Sequence, residues 1–472
     1  MADRLTSMDA SFLYMEDVST VMHVGSVMVF DPPGGRVDHD RLLTLLAQRI
    51  AHLPRYRQRV RSVPGHLANP VWVDDEAFDL AYHVRRSALP KPGTDAQLED
   101  FVARIQPRPL DRNRPLWEVY LVEGLEHGRF AIITKTHHAL VDGINSLDLG
   151  HVLMSDTPGW EQPSLDLWRP QRGPSDLGLV TSALVDSIKG PRAMLGAVRG
   201  GTQEMLDLSG RMLSGLGSLA STVAKGAARP APASPLNAHV GQARRFVMVG
   251  TDLAAYRDVR QRLARGPRAD DVSVNDIVLA SIAGALRAWL LTRGSAVHGG
   301  TVVRALVPVS VDNPTGQGTA RLAACLVDLP VGEPAALMRL HQIAFLMRQQ
   351  IAGGQAVGAD RLAGLAGVAP PTLHSMGARL GSDLSKRLFN LIVTNVPGPQ
   401  TPLYAGDARL LSTYPVIPLA KGQALAIGLT SYDGGVYYGL NADRDAMPDV
   451  EVLGQAIADS LAELADGGDT FG

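Results

Sequence analysis

The stretch Arg129-Phe130-Ala131-Ile132-Ile133-Thr134-Lys135-Thr136-His137-His138-Ala139-Leu140-Val141-Asp142-Gly143 decides how this chain is read. Its first eight residues, Arg129–Thr136, are rich in β-branched and aromatic side chains and read as a strand. A helix is expected to begin near Gly143. The two histidines therefore sit where a strand hands over to a helix, and rigid elements at such a place hold a side chain in position. Neighbouring side chains on an extended chain point to opposite sides, so one histidine can face a cavity while the other packs into the body. Asp142 is placed to make an ion pair that fixes the loop. Gly143 permits a tight backbone and leaves room for a substrate.

The chemistry available to such a pair is proton transfer. A neutral imidazole with an ordinary pKa near ~6.5 accepts a proton at neutral pH. A hydroxyl attacking a thioester must lose its proton as the bond forms, and a positioned base contributes on the order of 10²–10⁴ in rate to that step. Three other readings stay open on the residues alone. The pair can be structural. It can bind a metal with Asp142 as third ligand, although nothing nearby supplies a second shell. His137 followed by Asp142 also fits a His-x4-Asp motif similar to that of membrane glycerolipid acyltransferases, whose downstream Pro-Glu-Gly stretch is missing here.

Outward from this stretch, strands and helices interleave. His23–Phe30 and Trp117–Val122 read as strands, the second joined to Arg129–Thr136 by the short link Glu123–Gly128 as a hairpin. Asp40–His52 and Gln97–Ile105 read as helices. Ser155–Ser175 is irregular by composition. Apolar positions at Leu177, Val180, Leu184 and Ile188, and again from Met205 to Val223, mark one face of a helix. The Pro-rich Ala228–Pro235 is a stiff connector. Beyond it, Arg245–Gly250, Val302–Val311, Leu391–Asn395, Ala424–Thr430 and Val436–Leu440 read as strands. Leu253–Ala264, Ser273–Leu291, Ala336–Ile351 and Val450–Ala465 read as helices. The class is α/β with two lobes, divided as 1–175, a helical and Pro-rich linker 176–240, and 241–472.

Composition narrows the function. The 472 residues carry 45 Lys and Arg against 47 Asp and Glu, a net charge of −2. Well-mixed charge of that kind argues against a nucleic-acid binder acting by bulk attraction. The one cysteine, Cys325, can form no internal disulfide, and no Cys cluster exists to hold zinc, so the chain reads as intracellular. The N-terminus lacks a secretory pattern. No transmembrane span is expected, since uncharged stretches such as Met212–Ala224 and Gly422–Tyr432 fall short of ~20 apolar residues. A Gly-x-Ser-x-Gly elbow, a Walker loop and a Gly-x-Gly-x-x-Gly turn are all missing, which speaks against a serine hydrolase, a nucleotide hydrolase and a dehydrogenase.

His137–Gly143 matches the His-His-x-x-x-Asp-Gly signature of the coenzyme A-dependent acyltransferase superfamily. Further motifs are Arg114-Pro115-Leu116-Trp117-Glu118, Val274-Asn275-Asp276 and Asn395-Val396-Pro397-Gly398-Pro399. With Ser7–Leu13 and Pro235-Leu236-Asn237, they make the chain resemble the bacterial wax ester synthase/diacylglycerol acyltransferase family over nearly its whole length. The resemblance implies a two-lobed, chloramphenicol acetyltransferase-like fold with a tunnel between the lobes. It implies acyl-CoA as co-substrate, no permanently bound cofactor and no metal. By the family's pattern His138 is the general base, His137 supports it, and Asp142 is structural, with Arg304 a candidate partner.

The remaining motifs each carry a plainer reading. Pro115, Leu116 and Trp117 can be a strand entry with a buried Trp. Ser273 and Asp276 fit a helix-capping box, which leaves Asn275 a polar group in the first turn. Asn395, Pro397 and Gly398 form a turn by composition. Ser431–Gly434 reads as a hairpin with an Asp-Gly turn.

The expected reaction is direct transfer of a long acyl group from CoA to diacylglycerol, giving triacylglycerol, or to a fatty alcohol, giving a wax ester. The helices of Leu177–Val223, with Lys189, Arg192 and Arg199 at their polar edge, are candidates for docking on a membrane or lipid droplet from the cytoplasmic side. Two alternatives remain: a condensation-type enzyme using a carrier-bound donor, and a noncatalytic lipid-binding protein.

Overall fold

The computed structural model describes residues 3–35, 38–141, 149–160, 166, 168–183, 185, 230–265, 272–311, 321–352, 357–358 and 388–466. The first half runs β1 (Asp3–Arg4), α1 (Ser7–Met15), β2 (His23–Asp31), α2 (His39–Ala51), β3 (Gln58–Arg61), β4 (Val71–Asp74), α3 (Leu80–His83), β5 (Val84–Ala88), α4 (Asp95–Ile105), β6 (Trp117–Glu123), β7 (Phe130–His137) and α5 (Leu149–Leu153). The second half runs β8 (Arg244–Asp252), α6 (Leu253–Arg265), α7 (Val274–Thr292), β9 (Val303–Val311), β10 (Arg321–Leu329), α8 (Ala336–Ala352), β11 (Val357–Gly358), β12 (Leu391–Pro397), β13 (Tyr404–Ala405), β14 (Ala408–Val416), β15 (Leu425–Tyr432), β16 (Gly435–Asp443) and α9 (Val450–Asp466).

Two mixed sheets organise most of these elements, beside a small three-stranded sheet of order β1-β4-β3. One has the order β13-β14-β2-β7-β6-β5, the other β11-β10-β9-β12-β15-β16-β8. Every residue of β7 is buried, because this inner strand has an apolar layer on each face. Phe130 and Ile132 pack toward α2, and Ala131 and Ile133 pack toward α4. Each fully buried Phe or Ile side chain of this kind contributes roughly 1.5–3 kcal/mol.

The two halves of the sequence do not map onto two closed lobes. Strands β12 and β15 are parallel neighbours, with Asn395 opposite Leu429. A parallel pair needs a crossover of a dozen or more residues. Here the crossover leaves the second sheet, and β14 pairs with β2 of the first sheet from Arg409–Asp31 to Val416–Gly25. Residues 404–416, assigned from sequence to the second lobe, thus complete the first lobe's sheet.

The lobes also meet at β8, the edge strand of the second sheet. The α4 carboxylate of Glu99 accepts a hydrogen bond from the Met248 backbone N–H (2.7 Å). Burial at this seam pushes the Glu99 carboxyl up to about 7, partly offset by that bond.

Helix α7 is long and apolar enough to cross a membrane by length and composition. Every residue from Asp276 to Leu286 is buried, and the helix is surrounded by α9, α8 and α6. A helix apolar all round is what the centre of a large core requires. Its start is set by the expected capping box: Ser273 accepts from Asp276 N–H (3.1 Å), and Asp276 accepts from Ser273 N–H (2.8 Å).

Within the linker, 176–183 is helical. Its buried stripe is Leu179 and Ala183, packed on Val63, Val71 and Val73. Leu177, placed on the apolar face by its spacing, is 79% exposed. The stripe is rotated because the partner surface, β4 and the chain before it, lies against the 179/183 side. Leu184, Ile188, the Met205–Val223 pattern and the cations Lys189, Arg192 and Arg199 lie outside the described residues, as do Asp142, Gly143 and the helix start expected there.

Candidate active site

The chain turns sharply at the end of β7. His137 N–H donates to the Leu116 carbonyl (2.9 Å), continuing the ladder with β6, while His138 N–H donates to the Met22 carbonyl (2.8 Å). The two imidazoles have different neighbours: Glu16 stands beside His137, and the Phe12 ring lies on His138. His137 is 1% exposed, and His138 is only partly buried.

His137 belongs to a buried polar cluster. Its Nδ1 accepts a hydrogen bond from Ala139 N–H (3.0 Å), so its proton resides on Nε2. That Nε2 faces Glu16 Oε2 at 3.6 Å, and His23 Nε2 lies 3.2 Å from Glu16 Oε1. Arg112 donates to Glu16 Oε2 (2.6 Å). Burial alone would raise the Glu16 carboxyl; the contacts from His137, His23 and Arg112 outweigh it and hold the group well below the usual carboxylate range. Glu16 is placed by the end of α1, where its backbone N–H donates to Phe12 O (3.1 Å).

His138 sits in a different environment. The Phe12 ring stacks on it, centroids 4.0 Å apart and planes 15° from parallel. Its Nδ1 is buried with no hydrogen-bond partner. Burial lowers its pKa to about 4, with a smaller contribution from nearby His137. At neutral pH the ring is therefore uncharged and free to accept a proton.

Behind the pair lies Lys135, fully buried, donating to the carbonyls of Ile105 (3.0 Å) and Arg108 at the end of α4. Burial pushes its pKa down to about 8, although Glu118 at 3.8 Å acts in the other direction. It ties α4 to the strand that carries the histidines. Among the described residues no group of three or more His, Cys, Asp or Glu is arranged to hold a metal ion.

The other sequence candidates divide by location. Leu116 supplies the carbonyl that binds His137 N–H, and Pro115, Leu116 and Trp117 are all buried. Trp117 donates from Nε1 to Tyr56 O (2.7 Å) and stacks on His83 at 4.5 Å, as a core Trp does. Asn275 and Asn395 come together: Asn395 Nδ2 donates to Asn275 Oδ1 (3.1 Å), joining the first turn of α7 to β12. Asp276 is taken up by its capping box. Gly398 follows Pro397 where the chain leaves β12, and a Cβ there would stand 2.4 Å from the Ser431 carbonyl oxygen. Arg304 forms a bidentate pair with Asp328 directly across the β9–β10 ladder (2.6 and 3.1 Å). Asp142, its candidate partner from sequence, lies outside the described residues. Asp433 and Gly434, with φ of 43° and 83°, form the expected two-residue hairpin between β15 and β16.

Sequence patterns do not single out Phe12, Glu16, His23 or Arg112. Phe12 stands within the quoted Ser7–Leu13 motif, but no spacing connects a residue near position 16 with one about 120 positions later.

Residues 5–278 match the wax ester synthase/diacylglycerol acyltransferase catalytic domain, and residues 320–465 match the WS/DGAT C-terminal domain. A probable diacylglycerol O-acyltransferase of Mycobacterium tuberculosis, tgs1, is 33% identical over 469 residues, covering 98% of this chain and 96% of that protein. The wax ester synthase/diacylglycerol acyltransferase of Marinobacter aquaeolei superposes with a TM-score of 0.68 at 28% identity, covering 98% of this chain and 99% of the other. The trichothecene 15-O-acetyltransferase of Fusarium sporotrichioides shares the fold, with a TM-score of 0.56 at 13% identity over 98% of this chain and 94% of the other. With both domain models matched in order and relatives aligned from end to end, the chain belongs to the wax ester synthase/diacylglycerol acyltransferase family.

Proposed function

We propose that this protein is an O-acyltransferase that moves a long acyl group from acyl-CoA to diacylglycerol, to a long-chain alcohol, or to both, with His138 as general base. The observation that carries the reading is the partly buried imidazole of His138, kept uncharged by burial and stacked on Phe12, while Glu16 stands beside its neighbour His137. The acceptor hydroxyl gives its proton to His138 as its oxygen attacks the thioester carbon. The tetrahedral intermediate then collapses, the C–S bond breaks, and the imidazolium returns the proton to the departing thiolate. An imidazole of lowered pKa is a weaker base but a stronger acid, which favours the second proton transfer. No acyl-enzyme is formed, so labelled acyl-CoA mixed with the enzyme alone should leave no label on the protein.

CoA release from palmitoyl-CoA tests the reading, with hexadecanol and diolein supplied separately. Release that depends on an acceptor and collapses in His138→Ala is the expected result. Binding of acyl chains with no CoA release from folded wild type would favour a noncatalytic lipid binder. Activity only with a carrier-bound donor would favour a condensation-type enzyme.

The acceptors are apolar, which supports peripheral contact with a membrane or lipid droplet on the cytoplasmic side. Leu177, exposed beside the packed Leu179, is consistent with a linker that offers apolar side chains outward. Flotation with vesicles should weaken when residues 176–225 are deleted, and equal flotation of the folded deletion would remove this part of the proposal.

A further inference from the structure

The α1–β2 loop touches both histidines. Its first residue, Glu16, faces His137, and the Met22 carbonyl holds His138 N–H. Between them, residues 17–20 close on themselves: Asp17 N–H donates to Thr20 O (3.2 Å) and Thr20 N–H to Asp17 O (3.1 Å). Met22 N–H returns to Glu16 Oε1 (3.3 Å). The turn is therefore tied to the His137 ring at one end and to the His138 backbone at the other.

The turn is held from the other lobe. Arg244, the first residue of β8, has a side chain that is 3% exposed. Its Nη2 donates to the Ser19 carbonyl, and its Nη1 donates to the carbonyls of Gly241 (2.7 Å) and Ala243 (3.1 Å). Asp443, opposite Arg244 in the β8–β16 ladder, lies 3.8 Å from Nη1 and accepts from Gly241, Asp445 and Ala446 N–H. The guanidinium is thus fixed within the second lobe and reaches into the first. A planar fork that serves three carbonyls in set directions is a task an ammonium cannot duplicate.

We infer that Arg244 is a positioning residue for acyl transfer, setting the orientation of His138 by clamping the Ser19 carbonyl across the lobe boundary. The inference rests on His138 being the base.

Arg244→Met is compared with wild type, Arg244→Lys and the neighbouring control Arg245→Ala, whose partly exposed side chain pairs with Glu451. Two quantities are read: kcat and KM with palmitoyl-CoA and the preferred acceptor, and hydrogen exchange at the His138 amide. Misplacement of a base by about 1 Å costs on the order of 10²-fold. Arg244→Met is expected to lose about ten- to a hundredfold in kcat with little change in KM, and to exchange the His138 amide faster. Arg244→Lys should recover part of both, and Arg245→Ala should match wild type. A folded Arg244→Met with wild-type kcat overturns the inference. So does a fall in kcat without faster exchange, because the loss then arises elsewhere. Should Arg244→Met not fold, Arg244→Lys is read by the same two measurements. Should wild type release no CoA, that failure belongs to the function, and exchange alone decides: faster exchange in the variant supports the clamp, unchanged exchange overturns it.

Discussion

The Phe12 ring lies flat on the His138 imidazole, 4.0 Å centre to centre. This contact joins the first helix to the end of β7. It excludes water from one face of the ring and so contributes to the burial that keeps His138 uncharged. Removing the cover stabilises the imidazolium, so Phe12→Ala should move the acid limb of the kcat/KM profile upward from about 4 toward the ordinary 6.5. Lost orientation should also lower the rate at pH 8 by about tenfold. An unmoved acid limb would show that Phe12 does not control the ring's environment.

Glu16 is the acceptor around which His137, His23 and Arg112 gather. Its folded pKa lies below its unfolded value of 4.5. The stability it adds is therefore full above about 4.5 and is lost as pH falls below that value. Glu16→Gln should cost about 2 kcal/mol at pH 7. The gap in melting temperature between the two proteins should narrow as pH drops below 4. A gap of constant size would mean that the carboxylate charge is not what stabilises the cluster.

Trp117 Nε1–H donates to Tyr56 O inside the first lobe, and its ring is fully buried. Trp117→Phe leaves that buried carbonyl without its donor, at a cost of about 1–3 kcal/mol. Urea unfolding should detect this, while KM for acyl-CoA stays near wild type at temperatures where the variant is folded. A large KM change with unaltered stability would instead make Trp117 a substrate contact.

Gly398 has no room for a side chain beside the Ser431 carbonyl and Thr430 Oγ1. Gly398→Ala should destabilise by about 1–3 kcal/mol through displacement of β12 against β15. A thermal melt reads the change directly, and a neutral result would show that the β12 exit shifts without resistance.

Much of this architecture is legible in the amino-acid sequence. Periodicity locates β2, β6, β7, α7 and α9, because each is a long run with one dominant spacing. Strand β14 carries no such signal. Its nine residues are mostly half-buried because they lie across β2 and against β15 and β16, and nothing local announces that placement. Helix α7 gives the capping signal plainly, since a capping box is written in four consecutive residues.

For the site, the sequence by itself determined the His137–His138 pair and its position at a strand end, because these follow from local sequence pattern. Motif resemblance determined the family. Only the tertiary structure decided which groups surround the pair: Phe12 on His138, Glu16 and His23 beside His137, and Arg244 reaching from the other lobe to the loop between them. It also decided that Asn275 meets Asn395 and that Trp117 serves the core. These are contacts between residues tens to hundreds of positions apart. They are created by burial and strand pairing across the whole chain, so no local spacing encodes them.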